Sequence, residues 1–232
     1  MKLACIVHDQ VNLVLLPLLG ALTVAGLTGH AAPELVTHVF LAYVLADLVW
    51  VAAQPEAVPS LPGFILLHHT VTAALLVIPL RFGGRFHTYT CLDGLVELNT
   101  FFLIARRQWR GLRQPLSIAY WVTFVPLRLV LYPALVPVFL AEMRAESASW
   151  LETLVCVGSQ VILTAFNVLM LVLSVLNWRK RHAKPQDGKQ QAEGEAAKGP
   201  TAAKLLHAGV GVAAAGVGGV QRATVTLRAR TA

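Results

Sequence analysis

The chain has 232 residues, of which 56% are apolar and only 13% charged, about half the charged share of an ordinary soluble domain. So few water-facing side chains exclude a soluble cytosolic enzyme and a secreted disulfide module alike. The formal charge of +7 belongs to one end: residues 1–178 balance nine Lys/Arg against nine Asp/Glu, whereas residues 179–232 carry ten against three. A basic tail without base-stacking aromatics suits an anionic membrane surface and argues against nucleic acid as a partner.

A hydrocarbon core of roughly 30 Å takes about 20 apolar helical residues to cross. Six stretches meet that length: 11–29, 35–53, 61–80, 87–105, 116–141 and 150–178. The separators carry helix-breaking punctuation, among them Pro33, Pro55, Pro59, the pair Gly83-Gly84 and Pro115. The expected architecture is therefore all-α, a multi-pass transmembrane bundle or barrel of six helices. It comprises a short cytoplasmic N-terminus (1–10), a membrane domain (11–178) and a disordered, basic, low-complexity cytoplasmic tail (179–232). The first run is too long for a cleaved leader and reads as a retained signal anchor. The glycine-, alanine- and valine-rich segment 205–220 reads as tail rather than a seventh span.

Loop Lys/Arg counts orient the bundle. With the N-terminus inside, the inner segments hold Lys2, then Arg106, Arg107, Arg110 and Arg113, then Arg179, Lys180 and Arg181. The outer loops hold Arg81, Arg85 and Arg144. Both termini are thus expected in the cytoplasm. The doublet Arg106-Arg107 reads as a topology and headgroup element.

Polar groups inside spanning helices cost about 2.5–3.5 kcal/mol each on insertion scales and turn inward to partners. On the second stretch Tyr43 and Asp47 share a face, continued by Trp50, with His38 roughly opposite. On the third, His68 and His69 are adjacent, with Thr72 a turn further. Neighbours about 100° apart on a helix cannot chelate one ion as an i, i+4 pair does, so no metal site is assigned. Buried imidazoles can still hydrogen-bond structurally, move protons or accept an acyl group. On the fourth, Asp93, Glu97 and Thr100 form one stripe with Asn99 nearby, and the two acids require either a proton or a cation. The expected cation is Arg128 of the fifth stretch, between Pro126 and Pro133, paired with Glu97 or Asp47. Cys5, Cys91 and Cys156 lie far apart and read as core residues.

Four segments together resemble the TLC-domain membrane proteins. Ala42-Tyr43-Val44-Leu45-Ala46-Asp47 resembles the family's GY-x-x-x-D signature, and 67–75, containing His68-His69, its double-histidine helix. Glu97 to Arg106 is similar to its E-x-[ST/N]-x-x-F-L-x-x-R helix, and Phe124-Val125-Pro126-Leu127-Arg128 to its F-x-x-x-R segment. The resemblance runs from about Val36 to Arg181. It implies six helices around a lipid-sized tunnel with the histidine pair inside, a role in membrane lipid homeostasis, and the endoplasmic reticulum rather than the plasma membrane. Ceramide synthases of this family use the pair for acyl transfer from acyl-CoA, but they carry His-Asp and a second Asp where this chain has Val96-Glu97 and Thr100. The pattern is that of a short, non-synthase member.

Three functions follow as expectations. The first is a protein that binds a lipid or acyl chain in a cavity lined by Tyr43, Asp47, Thr72, Asp93, Glu97, Asn99 and Arg128. The second is an acyltransferase with His68 and His69 as catalytic residues and acyl-CoA as substrate. The third is a transporter or proton-coupled channel. None calls for a resident cofactor.

Overall fold

The computed structural model describes residues 2–58 and 61–182, so the residues assigned above to the basic tail, apart from the first four, lie outside the described residues. Every regular element is helical and no strand occurs among the described residues. The chain divides into two units, 1–178 and 179–232.

Helix α1 spans Leu3–Leu27, α2 Pro33–Ala53 and α3 Pro62–Phe82, each long and apolar enough to cross a membrane. Pro33 and Pro62 occupy the first helical turn, where the missing N–H costs nothing. Two shorter helices follow, α4 (Arg85–Gly94) and α5 (Val96–Gln108). Then α6 (Arg113–Phe124), a π-helical segment (Val125–Leu131) and α7 (Tyr132–Ala145) run on as one long rod. Helix α8 spans Trp150–His182. The chain is a multi-pass membrane protein with five long spanning helices among the described residues, the sixth element there being the α4–α5 pair.

Two differences from the sequence reading matter for the site. Helix α1 begins at Leu3 rather than near residue 11, because Leu3, Cys5, Ile6 and Val7 extend the apolar run a further two turns. His8, Asp9 and Asn12, counted above as part of a cytoplasmic end or its margin, are therefore helical and buried. The fourth stretch is not one straight span: it breaks at Leu95, where Leu95 N–H bonds Leu92 O and Leu98 N–H bonds Leu95 O. Neither half, at about 1.5 Å per residue, reaches across a bilayer.

Packing is built on close approach between α1, α2 and the α4–α5 pair. A Cβ added at Gly26 would lie 2.7 Å from Cys91 Sγ and 2.8 Å from Val36 Cγ2. One added at Gly94 would lie 3.0 Å from Thr23 Oγ1 and 3.3 Å from Phe40. Small residues at such crossings let helices meet in lipid, where the hydrophobic effect gives no help. One apolar cluster joins α1, α2, α3 and α5 through Leu16, Phe40, Leu76 and Ile104. A second joins α3, α4, α7 and α8 through Leu75, Phe86, Phe139 and Leu163. The outward faces carry exposed Leu18, Val49, Ile118, Val122 and Val130, a lipid-facing surface that water would not tolerate.

Candidate functional site

The bundle encloses a cavity of about 430 Å³ lined by residues of α1, α2, α3, α5, α6, the π segment and α8. That volume lies within the roughly 300–1,000 Å³ typical of small-molecule sites. Its apolar wall comes from α3 and α8, through Phe64, Ile65, Phe166, Leu169 and Leu173. Further apolar side chains, among them Leu103, Ile104 and Phe124, complete it, and three groups of polar side chains are set into the lining.

The first group centres on Asp47 of α2. His8 Nε2 of α1 lies 2.8 Å from one carboxylate oxygen, and His69 Nε2 of α3 lies 2.7 Å from the other. A single carboxylate thus ties three helices together. Both contacts use Nε2, which assigns the ring proton there and leaves Nδ1 as the acceptor nitrogen. Asn12, one turn beyond His8, lies against the ring, its Nδ2 3.2 Å from Nε2 and 3.4 Å from Nδ1, while its Oδ1 accepts from Tyr43 Oη at 2.9 Å. Trp50 meets the His8 ring edge-on at 5.4 Å. His69 Nδ1 is buried with no partner among the described residues.

The second group is an ion pair. Asp9, fully buried, accepts from Arg107 Nε at 2.9 Å, from Arg107 Nη2 and from Gln108 Nε2. The expectation that Arg107 serves topology and headgroups is therefore corrected: α1 reaches it across the bundle with a carboxylate. Its neighbour Arg106 stacks over Tyr120 at 4.0 Å.

The third group holds Arg128. The π-helical segment places it inward, and Pro133, with no N–H, cannot close an i→i−4 bond onto Leu129, which favours the wider turn. The expected pairing with Glu97 or Asp47 does not form. Arg128 Nε donates to Asn99 Oδ1, Nη1 to Asn167 Oδ1 and Nη2 to Thr100 Oγ1, each at 2.8 Å. The reason is geometric: Asp47 already has an imidazole on each oxygen, and Asn99, held by donating to Tyr120 O and Thr123 Oγ1, presents its carbonyl to the guanidinium.

The remaining predicted residues divide between this cavity and a smaller one of about 30 Å³. His68 and Glu97 line both, so they stand at the junction. The His68 ring stacks on Phe166 at 4.9 Å and its Nδ1 has no partner. Thr72 and Asp93 line only the smaller cavity. Thr72 spends its hydroxyl on the backbone oxygen of His68, and Asp93 receives Gln160 Nε2 at 3.4 Å. His38 points elsewhere, towards the Glu34 carbonyl, as its helical angle indicates. No cluster of three or more His, Cys, Asp or Glu suited to a metal ion occurs among the described residues.

Sequence reasoning missed His8, Asp9, Asn12 and Asn167. The first three had a usable signal: polar residues at i, i+1 and i+4 amid an apolar run that starts at Leu3. Asn167 had none, being one amide among several on α8.

The family model of the TLC domain matches residues 28–178, which takes in α2 to α8 and leaves out α1. No curated protein and no solved structure matches the chain significantly.

Proposed function

The chain belongs to the TLC-domain family of multi-pass membrane proteins, and on that premise we propose that it binds a lipid or acyl chain inside the bundle and acts in membrane lipid homeostasis. One observation carries this reading: a cavity of about 430 Å³ pairs an apolar α3–α8 wall with fixed polar groups from α1, α2, α5 and the π segment. Amphiphile sites have that composition, with apolar area for affinity and a few placed polar groups for orientation. In this reading both termini face the cytoplasm, which the loop charges favour, and the protein resides in the endoplasmic reticulum.

The test is mass spectrometry of lipids retained by the intact chain after washing in mild detergent, alongside Ile65→Trp and Leu173→Trp variants that fill the cavity. A lipid retained near one per chain by the wild type and lost from both variants is the expected result. Equal retention by all three, or none by any, refutes the proposal.

A second reading, acyl transfer from acyl-CoA, draws on one further observation: His68 faces the cavity without a partner while Asp47 orients His69. In it His68 acts as base towards an amine or hydroxyl acceptor. Labelled acyl-CoA with a panel of acceptors decides it. Transfer by wild type and its loss in His68→Ala support it, and no transfer to any acceptor removes it.

A further inference from the structure

The two arginines of the large cavity are treated differently. Arg107 is neutralised by Asp9. Arg128, 9% exposed and near the middle of the long α6–α7 rod, is bound by three neutral oxygens only. Among the described residues no carboxylate stands within ion-pair distance of it. Three of its five N–H groups are used, leaving two with no acceptor among the described residues. A buried guanidinium held this way has no anion in direct contact, since Glu97 reaches it only through the Thr100 hydroxyl that the two share, and such an arrangement is costly unless something else supplies a directly paired anion.

Other groups cannot supply it. Both oxygens of Asp47 face imidazoles, and Asp93 lines the smaller cavity. Glu97 is the one further acid on the wall of the large cavity that is not engaged by a base, and it lies outside ion-pair distance. Arginine also suits a planar or tetrahedral oxyanion better than a point charge would, because its remaining N–H groups form a fork.

We propose that the large cavity takes an amphiphile with an oxyanion head, a carboxylate or a phosphate, bound by Arg128. This rests on the lipid-binding reading and narrows it: a neutral lipid would leave the guanidinium without a directly paired anion. The head sits beside Arg128, Asn99 and Thr100, and the chain lies along Phe64, Phe166 and Leu173. Glu97 is the neighbour that opposes the anion.

The experiment compares three probes that share one oleoyl chain: oleic acid, lysophosphatidic acid and monoolein. Binding to the full chain in neutral detergent is read by native mass spectrometry. Wild type is expected to prefer at least one of the two anionic probes over monoolein by about tenfold, the size of one charge-assisted hydrogen bond. Whichever is preferred distinguishes a carboxylate source from a phosphate source. Arg128→Gln should lose the preference yet still bind monoolein, and Glu97→Gln should raise anionic binding relative to monoolein. Monoolein bound as well as both anions by wild type overturns this proposal and leaves lipid binding standing. Failure of all three probes overturns lipid binding itself. Should Arg128→Gln fail to fold, Glu97→Gln decides alone: no gain for either anionic probe overturns the oxyanion site.

Discussion

The Asp9–Arg107 pair makes an asymmetric prediction. The Asp9 side chain is 0% exposed and that of Arg107 is 33% exposed. Removing the arginine leaves a buried carboxylate with only the neutral Gln108 amide as donor, a loss of about 3–5 kcal/mol for one partner of a buried pair. Removing the acid leaves an arginine that re-solvates through its exposed third, and in Asp9→Asn the amide oxygen still accepts from Gln108. That loss is about 1–3 kcal/mol. Arg107→Met should therefore destabilise more than Asp9→Asn, and the double variant should lose less than the two single losses combined. In a chain of this length 1 kcal/mol moves the melting point by roughly 2–4 °C, so Arg107→Met should lower it by on the order of 10 °C. A thiol-reactive dye provides the assay, because Cys5, Cys91 and Cys156 are all free and buried until the bundle opens. If Asp9→Asn proved the more damaging change, or the two losses simply added, burial of the acid would not be what makes the pair matter.

Other substitutions extend the same reasoning. Gly26→Val must push into Cys91 and Val36 and should cost about 1–3 kcal/mol, whereas Gly63→Ala, where an added Cβ meets nothing within 4 Å, should leave the melting point unchanged or raised. Parallel dye melts check both. Asp47→Leu frees two imidazoles from their shared acceptor and should destabilise more than His8→Ala, which leaves His69 on the carboxylate; reversal of that order contradicts the three-helix tie. Arg85 reaches Glu142 at 3.0 Å but its side chain is 67% exposed, so Arg85→Gln should leave the melting point essentially unchanged. A larger shift would mean that this surface pair is worth more than its solvation allows.

Several features were legible in the sequence because they are local. Span length and helix-breaking punctuation depend only on neighbouring residues, and they indicated a multi-pass helical membrane protein. The polar residues themselves were also legible, since Asp47, His68, His69, Glu97 and Arg128 stand out in apolar runs and all five line the same large cavity. Their partners were not. The choice of Asn99, Asn167 and Thr100 over Glu97 for Arg128 depends on how α5, α8 and the π segment are rotated about their axes. A half-turn of any one would exchange the partners without altering composition or hydropathy. Asp9 finds Arg107 98 positions away, a pairing that arises only once α1 is laid against α5. The entry of α1 into the site was hidden for a related reason: hydropathy windows average over a helix's worth of residues, and the three polar side chains near its start blurred the boundary that the tertiary structure then drew at Leu3.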